Sequence, residues 1–205
     1  MTTPERCRNL WDLCQTILTN KIPGSFVECG VWRGGSAATM ALAMRHFGET
    51  RPLHLFDSFE GLPEPGDKDG DMAVAYSGGR SSGALDSIHQ CEAGLGEVRQ
   101  LLHQQLRLPE DQVHYHVGWF QNTVPADAPQ LGTVAILRLD GDWYESTRVC
   151  LENLYPLLAP GGVLILDDYF CWEGCRKAAD EYRAEHNIIA PIIQVDADCG
   201  YWRKP

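Results

Sequence analysis

Residues 134–168 read VAILRLDGDWYESTRVCLENLYPLLAPGGVLILDD and hold two apolar runs around an amphipathic stretch. The runs at 134–139 and 163–166 are continuously apolar apart from Arg138, which is typical of strands buried on both faces. The stretch between them carries an apolar stripe at helical spacing, formed by Thr147, Leu151, Leu154, Tyr155 and Leu158. Pro160-Gly161-Gly162 ends that helix. A strand, a helix and a second strand in this order predict a parallel βαβ unit.

The same alternation continues on both sides of this unit. Further strands are predicted at 25–30, 53–57, 113–117, 192–195 and 199–203, and further helices at 10–18, 36–47, 84–106 and 171–186. The last two strands are joined by the 196–198 turn and predict a hairpin. Residues 58–83 show no periodicity, and a loop of that length in a compact domain is usually a lid or a disordered flap. The sequence predicts one α/β domain over 1–205, with a mostly parallel sheet, helices on both faces and a C-terminal antiparallel hairpin.

Composition restricts the partners and the location of the protein. The 205 residues include 17 Lys and Arg against 28 Asp and Glu, a net charge of −11. A protein this acidic is a poor candidate for binding nucleic acid or an anionic membrane. It is a better candidate for binding a small neutral molecule or a cation. No 18-residue apolar run and no signal peptide are visible, so we expect a soluble cytoplasmic protein. The eight cysteines lack a Cys-x-x-Cys pair, and we expect them to be reduced.

A glycine-rich turn follows the strand at 25–30. Gly30 allows the chain to turn off the strand, and Gly34-Gly35 let backbone approach a ligand at the next helix. The spacing G-x-x-x-G-G-S differs from the G-x-G-x-x-G of dinucleotide enzymes, which favours a ligand with a ribose and a charged amino-acid end over NAD. Asp57 closes the next strand and is placed to accept both ribose hydroxyls. A plain glycine turn and an Asp57 that caps a helix or faces solvent are the structural alternatives.

Carboxylates gather where two later strands end. Asp140 closes one strand, Asp167 and Asp168 close the next, and Asp142 lies nearby. The ends of adjacent parallel strands meet at one edge, where so many carboxylates repel one another unless a cation lies among them. Oxygen ligands favour Mg²⁺, Mn²⁺ or Ca²⁺. The alternative is that one aspartate caps a helix and the others are solvated.

Several segments resemble the macrocin-type O-methyltransferases of antibiotic biosynthesis. The main ones are DGDWYEST at 140–147 and LDDY at 166–169. The segments at 27–36, 56–63, 118–120 and 200–203 match the same family, so the resemblance covers about residues 23–203. The 58–83 segment departs from the family after Pro65, and this departure leaves the acceptor undetermined.

The resemblance implies a class I, Rossmann-like methyltransferase fold that uses S-adenosylmethionine and Mg²⁺, and an enzyme that acts on a hydroxyl of a small molecule. We also expect the protein to be a homo-oligomer. It implies that Asp140, Asp167 and Asp168 hold the metal and that Asp140 is also the general base. The implied cofactor-binding residues are Glu28, Gly30 and Ser36 on the methionine side, Asp57 at the ribose, and Trp119 and Phe120 at the adenine, with Ser58 and Gly118 beside them.

The predicted function is Mg²⁺-dependent methyl transfer to a hydroxyl, with a sugar of a glycosylated natural product as the expected acceptor. The glycine spacing disfavours an NAD-dependent oxidoreductase. A Mg²⁺-dependent hydrolase or phosphotransferase would need cations to grip phosphate, and only Arg138 and Arg148 are near the aspartates. A catalytically silent binding protein on the same fold is a further alternative. His114 and His116 share a strand face and could bind a metal, but the sequence indicates no third ligand.

Overall fold

A computed structural model describes residues 2–205. The strands are β1 (Ser25–Cys29), β2 (Leu53–Asp57), β3 (Val113–Val117), β4 (Val134–Leu139), β5 (Leu158–Leu166), β6 (Ile193–Gln194) and β7 (Gly200–Arg203). The helices are α1 (Pro4–Thr19), α2 (Gly35–His46), α3 (Gly70–Tyr76), α4 (Leu95–Arg99), α5 (Phe120–Asp127), α6 (Tyr144–Leu154) and α7 (Glu173–Glu185). Residues Gln100–Gln105 extend α4 as a π-helical turn. Within 2–205, no helix is both long and apolar enough to cross a bilayer.

The strands form one seven-stranded sheet in the order β3-β2-β1-β4-β5-β7-β6. The first five strands in that order pair in parallel, whereas β7 pairs antiparallel with both β5 and β6. The mostly parallel sheet and the C-terminal hairpin are therefore confirmed. The chain leaves β1 toward β3 on one side and β4 toward β5 on the other, so the strand order reverses between β1 and β4. Ligands of open α/β sheets bind at this kind of position.

Apolar cores cover both faces of the sheet, as the unbroken apolar strands predicted. Ile136 of β4 packs on the face covered by α1 and α2, and its neighbour Leu137 packs on the face covered by α5, α6 and α7. Both side chains are fully buried. The small side chains of α2, such as Ala37 and Ala41, allow that helix to lie close against the strands.

The ends of β1 and β4 touch through their backbones. Gly30 has a φ of 90°, and a Cβ atom at this position would lie 1.8 Å from the carbonyl oxygen of Asp140. Only glycine permits this approach. Gly30 therefore sets the distance between the glycine-rich turn and the first of the strand-end aspartates.

Two sequence predictions about the segment between β2 and α4 are wrong. Residues 70–76 form α3, although no helix was expected there, because seven residues are too few to show a helical period. Residues 84–94 are not helical, because His89 and Cys91 adopt positive φ angles of 57° and 55°. Ile88 packs with Leu62, Ala73 and Trp143 instead of lying on a helix face over the sheet.

Smaller differences concern element boundaries. Strand β5 begins at Leu158, five residues before the predicted start, because the Pro160-Gly161-Gly162 turn is itself part of the strand. Helix α5 was not predicted, and Pro125 lies inside it. The two strands of the C-terminal hairpin are shorter than expected.

Candidate active site

A cavity of about 570 Å³ opens at the carboxyl edge of the sheet, over the ends of β1, β2, β4 and β5. Its walls also include the start of α1 and residues of the 58–83 segment. The strand-end residues singled out in the sequence therefore share one concave site. A cavity with this many polar groups at a strand-order reversal is where an α/β protein binds its ligand.

Asp57 fixes the glycine-rich turn. Its Oδ2 atom accepts hydrogen bonds from the backbone N–H groups of Val31 (2.6 Å) and Trp32 (3.0 Å), and its Oδ1 atom accepts one from Phe59 (2.6 Å). Burial raises the pKa of Asp57, and these three N–H groups counter the rise by stabilising the ionised carboxylate. Asp57 thus holds the loop that forms one side of the cavity, and its remaining lone pairs are available to a ligand.

Glu28 is a buried carboxylate with one unused oxygen. The side chain is 1% exposed, and its Oε1 atom accepts a hydrogen bond of 2.9 Å from Arg138. Its Oε2 atom has no partner among the described residues. Burial raises the pKa of Glu28 to about 8, and Arg138 opposes this rise. An unpaired buried carboxylate oxygen on the cavity wall suits a cationic ligand group such as an ammonium.

Two arginines pair with carboxylates of the cavity wall. Arg138 donates hydrogen bonds of 2.9 Å to both Glu28 and Asp140. Its Nη2 atom also lies 2.6 Å from Oδ1 of Asp167, as an ion pair whose atoms are not aligned for a hydrogen bond. Arg6 of α1 donates a hydrogen bond of 2.6 Å to Oδ2 of Asp167. Both oxygens of Asp167 therefore face a guanidinium group.

Three carboxylates, one of them Asp140, also converge in this cavity. Asp140, Asp142 and Asp168 each offer an oxygen within 4.8 Å of the other two. Burial raises the pKa of Asp140 and of Asp168, and neighbouring carboxylates add to both shifts. Burial and the charge of Asp140 raise the pKa of Asp142 to about 8. Each carboxylate thus destabilises the ionised form of its neighbours, and a divalent cation among them would relieve this repulsion. Carboxylate oxygens are ligands that a hard divalent cation prefers.

The predicted metal ligands are only partly brought together. Asp140 and Asp168 lie in the cluster, but its third member is Asp142, whereas Asp167 is turned toward the arginines. Coordination by Asp167 stays a prediction. Of the predicted cofactor-binding residues, all but Gly118 line the cavity: Glu28, Gly30, Ser36, Asp57, Ser58, Trp119 and Phe120. Gly118 lies beneath them and donates its N–H to the carbonyl oxygen of Asp57.

The sequence did not indicate a role for Arg6, and it placed Arg138 near the aspartates without assigning it a partner. No sequence pattern indicates that Arg6 belongs to the site, because its partners Asp167, Asp196 and Asp198 are more than 160 residues away along the chain. The sequence does offer a signal for Arg138, since it is a single charged residue in an otherwise apolar buried strand, where an arginine needs a partner.

The 58–83 segment forms another wall of the cavity and is tied to the rest of the fold. Asp69 accepts hydrogen bonds from the backbone N–H groups of Tyr144 (2.6 Å) and Gly66 (2.7 Å). The indole of Trp143 donates a hydrogen bond of 2.9 Å to the carbonyl oxygen of Pro63. Tyr76, at the end of α3, meets Trp172 edge-on at 5.3 Å, and both line the cavity.

Three thiols also border the cavity. Cys7, Cys91 and Cys171 lie on its wall and are accessible, whereas the other five cysteines are buried. All eight are free thiols. Burial raises the pKa of Cys91 and of Cys171, so both are mainly protonated at neutral pH.

Comparison with known proteins identifies the family. The family model described as Macrocin-O-methyltransferase (TylF) matches residues 1–204. The chain is 40% identical over 200 residues to the 8-demethyl-8-(2,3-dimethoxy-alpha-L-rhamnosyl)-tetracenomycin-C 4'-O-methyltransferase of Streptomyces olivaceus, covering 97% of this chain and 73% of the relative. It is 37% identical over 204 residues to the demethyldecarbamoylnovobiocin O-methyltransferase of Streptomyces niveus, covering 98% and 73%.

A solved structure supports the same assignment. The O-methyltransferase NovP superposes with a TM-score of 0.83 at 35% identity, covering 98% of this chain and 79% of that one. The predicted class I, Rossmann-like methyltransferase fold is thereby confirmed. The chain belongs to the macrocin O-methyltransferase family and is an O-methyltransferase.

Proposed function

We propose that this enzyme transfers a methyl group from S-adenosylmethionine to a sugar hydroxyl of a glycosylated natural product, in a reaction that depends on Mg²⁺. The observation that carries the proposal is the convergence of Asp140, Asp142 and Asp168 in the same cavity as Glu28 and Asp57. One cavity therefore places carboxylates that can coordinate a divalent cation beside carboxylates that can bind a cationic, ribose-bearing molecule.

The residues around β1 and β2 suit S-adenosylmethionine. The unpaired Oε2 atom of Glu28 can accept a hydrogen bond from the ammonium of its amino-acid end, and Asp57 can accept hydrogen bonds from the ribose hydroxyls. Trp119 and Phe120 supply aromatic surface for the adenine. The cofactor supplies the methyl group and leaves as a neutral thioether, so no acid catalyst is needed.

The carboxylates of β4 and β5 suit Mg²⁺. Asp140 and Asp168 would hold the ion, with Asp142 as the third ligand of the observed cluster and Asp167 as the ligand that the family resemblance implies. When bound, the dication lowers the pKa of a hydroxyl that binds to it. Asp140 is the proposed general base, since its carboxylate lies on the cavity wall where it can accept the hydroxyl proton.

A sugar is the proposed acceptor because the relative from Streptomyces olivaceus is named for a tetracenomycin that carries a rhamnosyl group. Two vicinal hydroxyls could chelate the ion and orient one oxygen toward the methyl carbon. Phosphoryl transfer is disfavoured, because the guanidinium groups beside the carboxylates, Arg6 and Arg138, are already paired with carboxylates.

The test is an activity screen with methyl-labelled S-adenosylmethionine and a panel of rhamnosylated and related glycosylated natural products. We expect label in the sugar with Mg²⁺, no transfer after treatment with EDTA, and recovery when Mg²⁺ is added in excess. Binding of S-adenosylhomocysteine, measured by calorimetry, should survive EDTA because Glu28 and Asp57 do not depend on the ion. Full activity in a metal-free preparation would contradict the proposal, and cofactor binding without transfer to any acceptor would favour a silent binding protein.

A further inference from the structure

One wall of the cavity is aromatic. Tyr76 of α3 and Trp172, the residue before α7, both line the cavity, and their rings meet edge-on with centroids 5.3 Å apart. Trp143 is buried behind them, with its ring centroid 5.0 Å from that of Trp172 and 6.5 Å from that of Tyr76. Three separate parts of the chain thus build one aromatic wall, on which Tyr76 remains 41% exposed.

The aromatic wall adjoins the carboxylate cluster on the side away from the proposed cofactor residues. The backbone N–H of Trp172 donates a hydrogen bond of 3.0 Å to the carbonyl oxygen of Asp168. Glu28 and Asp57 lie on β1 and β2, whereas the cluster follows β4 and β5, and the strand order is β2-β1-β4-β5. Along the edge of the sheet, the cluster therefore lies between the cofactor residues and the aromatic wall.

The aromatic wall offers apolar contact and no counter-ion for an anion. Burial raises the pKa of Tyr76 to about 12, so its hydroxyl is uncharged at neutral pH. Within residues 2–205, the basic side chains that line the cavity are Arg6, Arg33 and Arg138. Arg6 and Arg138 are paired with carboxylates, and Arg33 belongs to the glycine-rich turn on the cofactor side. A phosphate group on this wall would therefore meet the carboxylate cluster without a cation to bind it.

We propose that Tyr76 and Trp172 form an acceptor subsite that selects an uncharged, apolar aglycone on the sugar. The inference rests on the function proposed above. When a sugar hydroxyl lies at the carboxylate cluster, the group attached to that sugar extends over the two rings and buries apolar surface against them. Trp143 packs against both rings and donates a hydrogen bond of 2.9 Å to the carbonyl oxygen of Pro63, so the aromatic wall is already formed before an acceptor binds.

Tyr76 is the residue of this wall that should set the selectivity of this enzyme. It lies in the part of the 58–83 segment that departs from the family after Pro65, whereas Trp143 lies in the DGDWYEST motif that carries the family resemblance. Met72 lies one helical turn before Tyr76 and is also exposed, but it does not line the cavity. The chain therefore offers a matched control on the same helix.

The test compares two probes that differ only in the aglycone, methyl rhamnoside and naphthyl rhamnoside. Calorimetry with saturating S-adenosylhomocysteine and Mg²⁺ measures their affinities without turnover. We expect the wild type to bind the naphthyl glycoside about tenfold more tightly than the methyl glycoside, because only the naphthyl group reaches the aromatic wall. Tyr76→Ala should remove most of this preference, whereas Tyr76→Phe and Met72→Ala should retain it. Affinity for S-adenosylhomocysteine should be the same in all four proteins.

Equal affinity of the wild type for the two rhamnosides would overturn the inference, and so would an unchanged preference in Tyr76→Ala. Binding of S-adenosylhomocysteine without either rhamnoside would overturn it as well. Tighter binding of thymidine diphosphate rhamnose than of naphthyl rhamnoside would assign the wall to a nucleotide instead of an aglycone. If Tyr76→Ala fails to fold, Trp172→Leu decides, since it should reduce the preference in the same way. A wild type that does not bind S-adenosylhomocysteine would contradict the proposed function itself.

Discussion

Arg138 illustrates how one residue determines the electrostatics of the site. Its register neighbour on β1 is Glu28, and it lies two residues before Asp140, so a single guanidinium reaches three carboxylates. The cavity wall carries seven carboxylates against three arginines, so its formal charge is strongly negative. S-adenosylmethionine carries one net positive charge and Mg²⁺ carries two. Both proposed ligands would therefore offset part of this excess negative charge.

Asp57 should be essential for cofactor affinity. Asp57→Ala removes the acceptor for two backbone N–H groups of the glycine-rich turn and for that of Phe59, as well as the proposed ribose ligand. We expect S-adenosylhomocysteine to bind about 1.5–3 kcal/mol more weakly, or roughly 10- to 150-fold. Calorimetric titration of the folded variant measures this change, with the exposed Asp86→Ala as the control. Unchanged affinity in Asp57→Ala would remove this residue from the cofactor site.

At the scale of elements, the 58–83 segment is predicted to act as a lid, and the contacts of Asp69 define where it is held. We expect hydrogen exchange across residues 66–83 to slow when S-adenosylhomocysteine and an acceptor bind, because the cavity wall formed by Tyr76 then gains contacts. Equal exchange with and without ligands would contradict a lid.

A matched pair of variants tests the anchoring of that lid. Asp69→Ala leaves the N–H groups of Tyr144 and Gly66 without their acceptor, and we expect it to cost about 1–3 kcal/mol and to accelerate exchange in α3. Asp71→Ala, on the exposed side of the same helix, should do neither. Urea unfolding and hydrogen exchange measure the two effects. Equal behaviour of the two variants would show that Asp69 does not hold the segment.

Elements were predictable where they bury a continuous apolar face. Strand β4 begins and ends at the predicted residues, because Val134–Leu139 is a short, buried run that is apolar apart from Arg138. Strand β3 also matches its predicted bounds, because Val113–Val117 alternates between apolar and polar residues. The region after β2 was not predictable in the same way. Leu85 and Ile88 have helical spacing, which predicted a helix packed on the sheet. Ile88 packs instead with Leu62, Ala73 and Trp143, and local spacing does not indicate which residues a side chain will pack against.

For the whole molecule, stability should fall between pH 6.5 and pH 4 through His54. Burial lowers the pKa of this residue from 6.5 to about 4, so over this range the unfolded chain binds a proton that the folded protein does not. The expected loss from His54 is roughly 2 kcal/mol at pH 5, absent well above pH 6.5. Glu28 and Asp142 act in the opposite direction, because burial raises the pKa of each to about 8.

The contribution of His54 is therefore measured as a difference. Urea unfolding of the wild type and of His54→Gln at pH 7.5 and pH 5, both with EDTA, should show a smaller acid-induced loss in the variant. Parallel pH profiles for the two proteins would mean that His54 titrates normally in the folded state.

The location of the site was predictable from the sequence, but its third carboxylate was not. Parallel strands end at the same edge, so Asp140 and Asp168 had to meet near the glycine-rich turn. Asp167 and Asp168 are consecutive residues of the turn after β5, and nothing in the sequence indicates which of them faces the other aspartates. Only one of the pair joins the cluster, and the other faces Arg6, whose position depends on how α1 packs.

The three accessible thiols on the cavity wall make the site chemically addressable. Oxidation or alkylation will modify Cys7, Cys91 and Cys171 before the five buried cysteines, so a preparation stored without a reductant will lose its ligand pocket before its fold. The same property provides a label: Cys91 is the most exposed thiol in residues 2–205 and lines the cavity together with Tyr76 of the 58–83 segment. A maleimide dye attached there, at mildly alkaline pH because the thiol is protonated at neutrality, would report by fluorescence on an acceptor whose identity need not be known in advance.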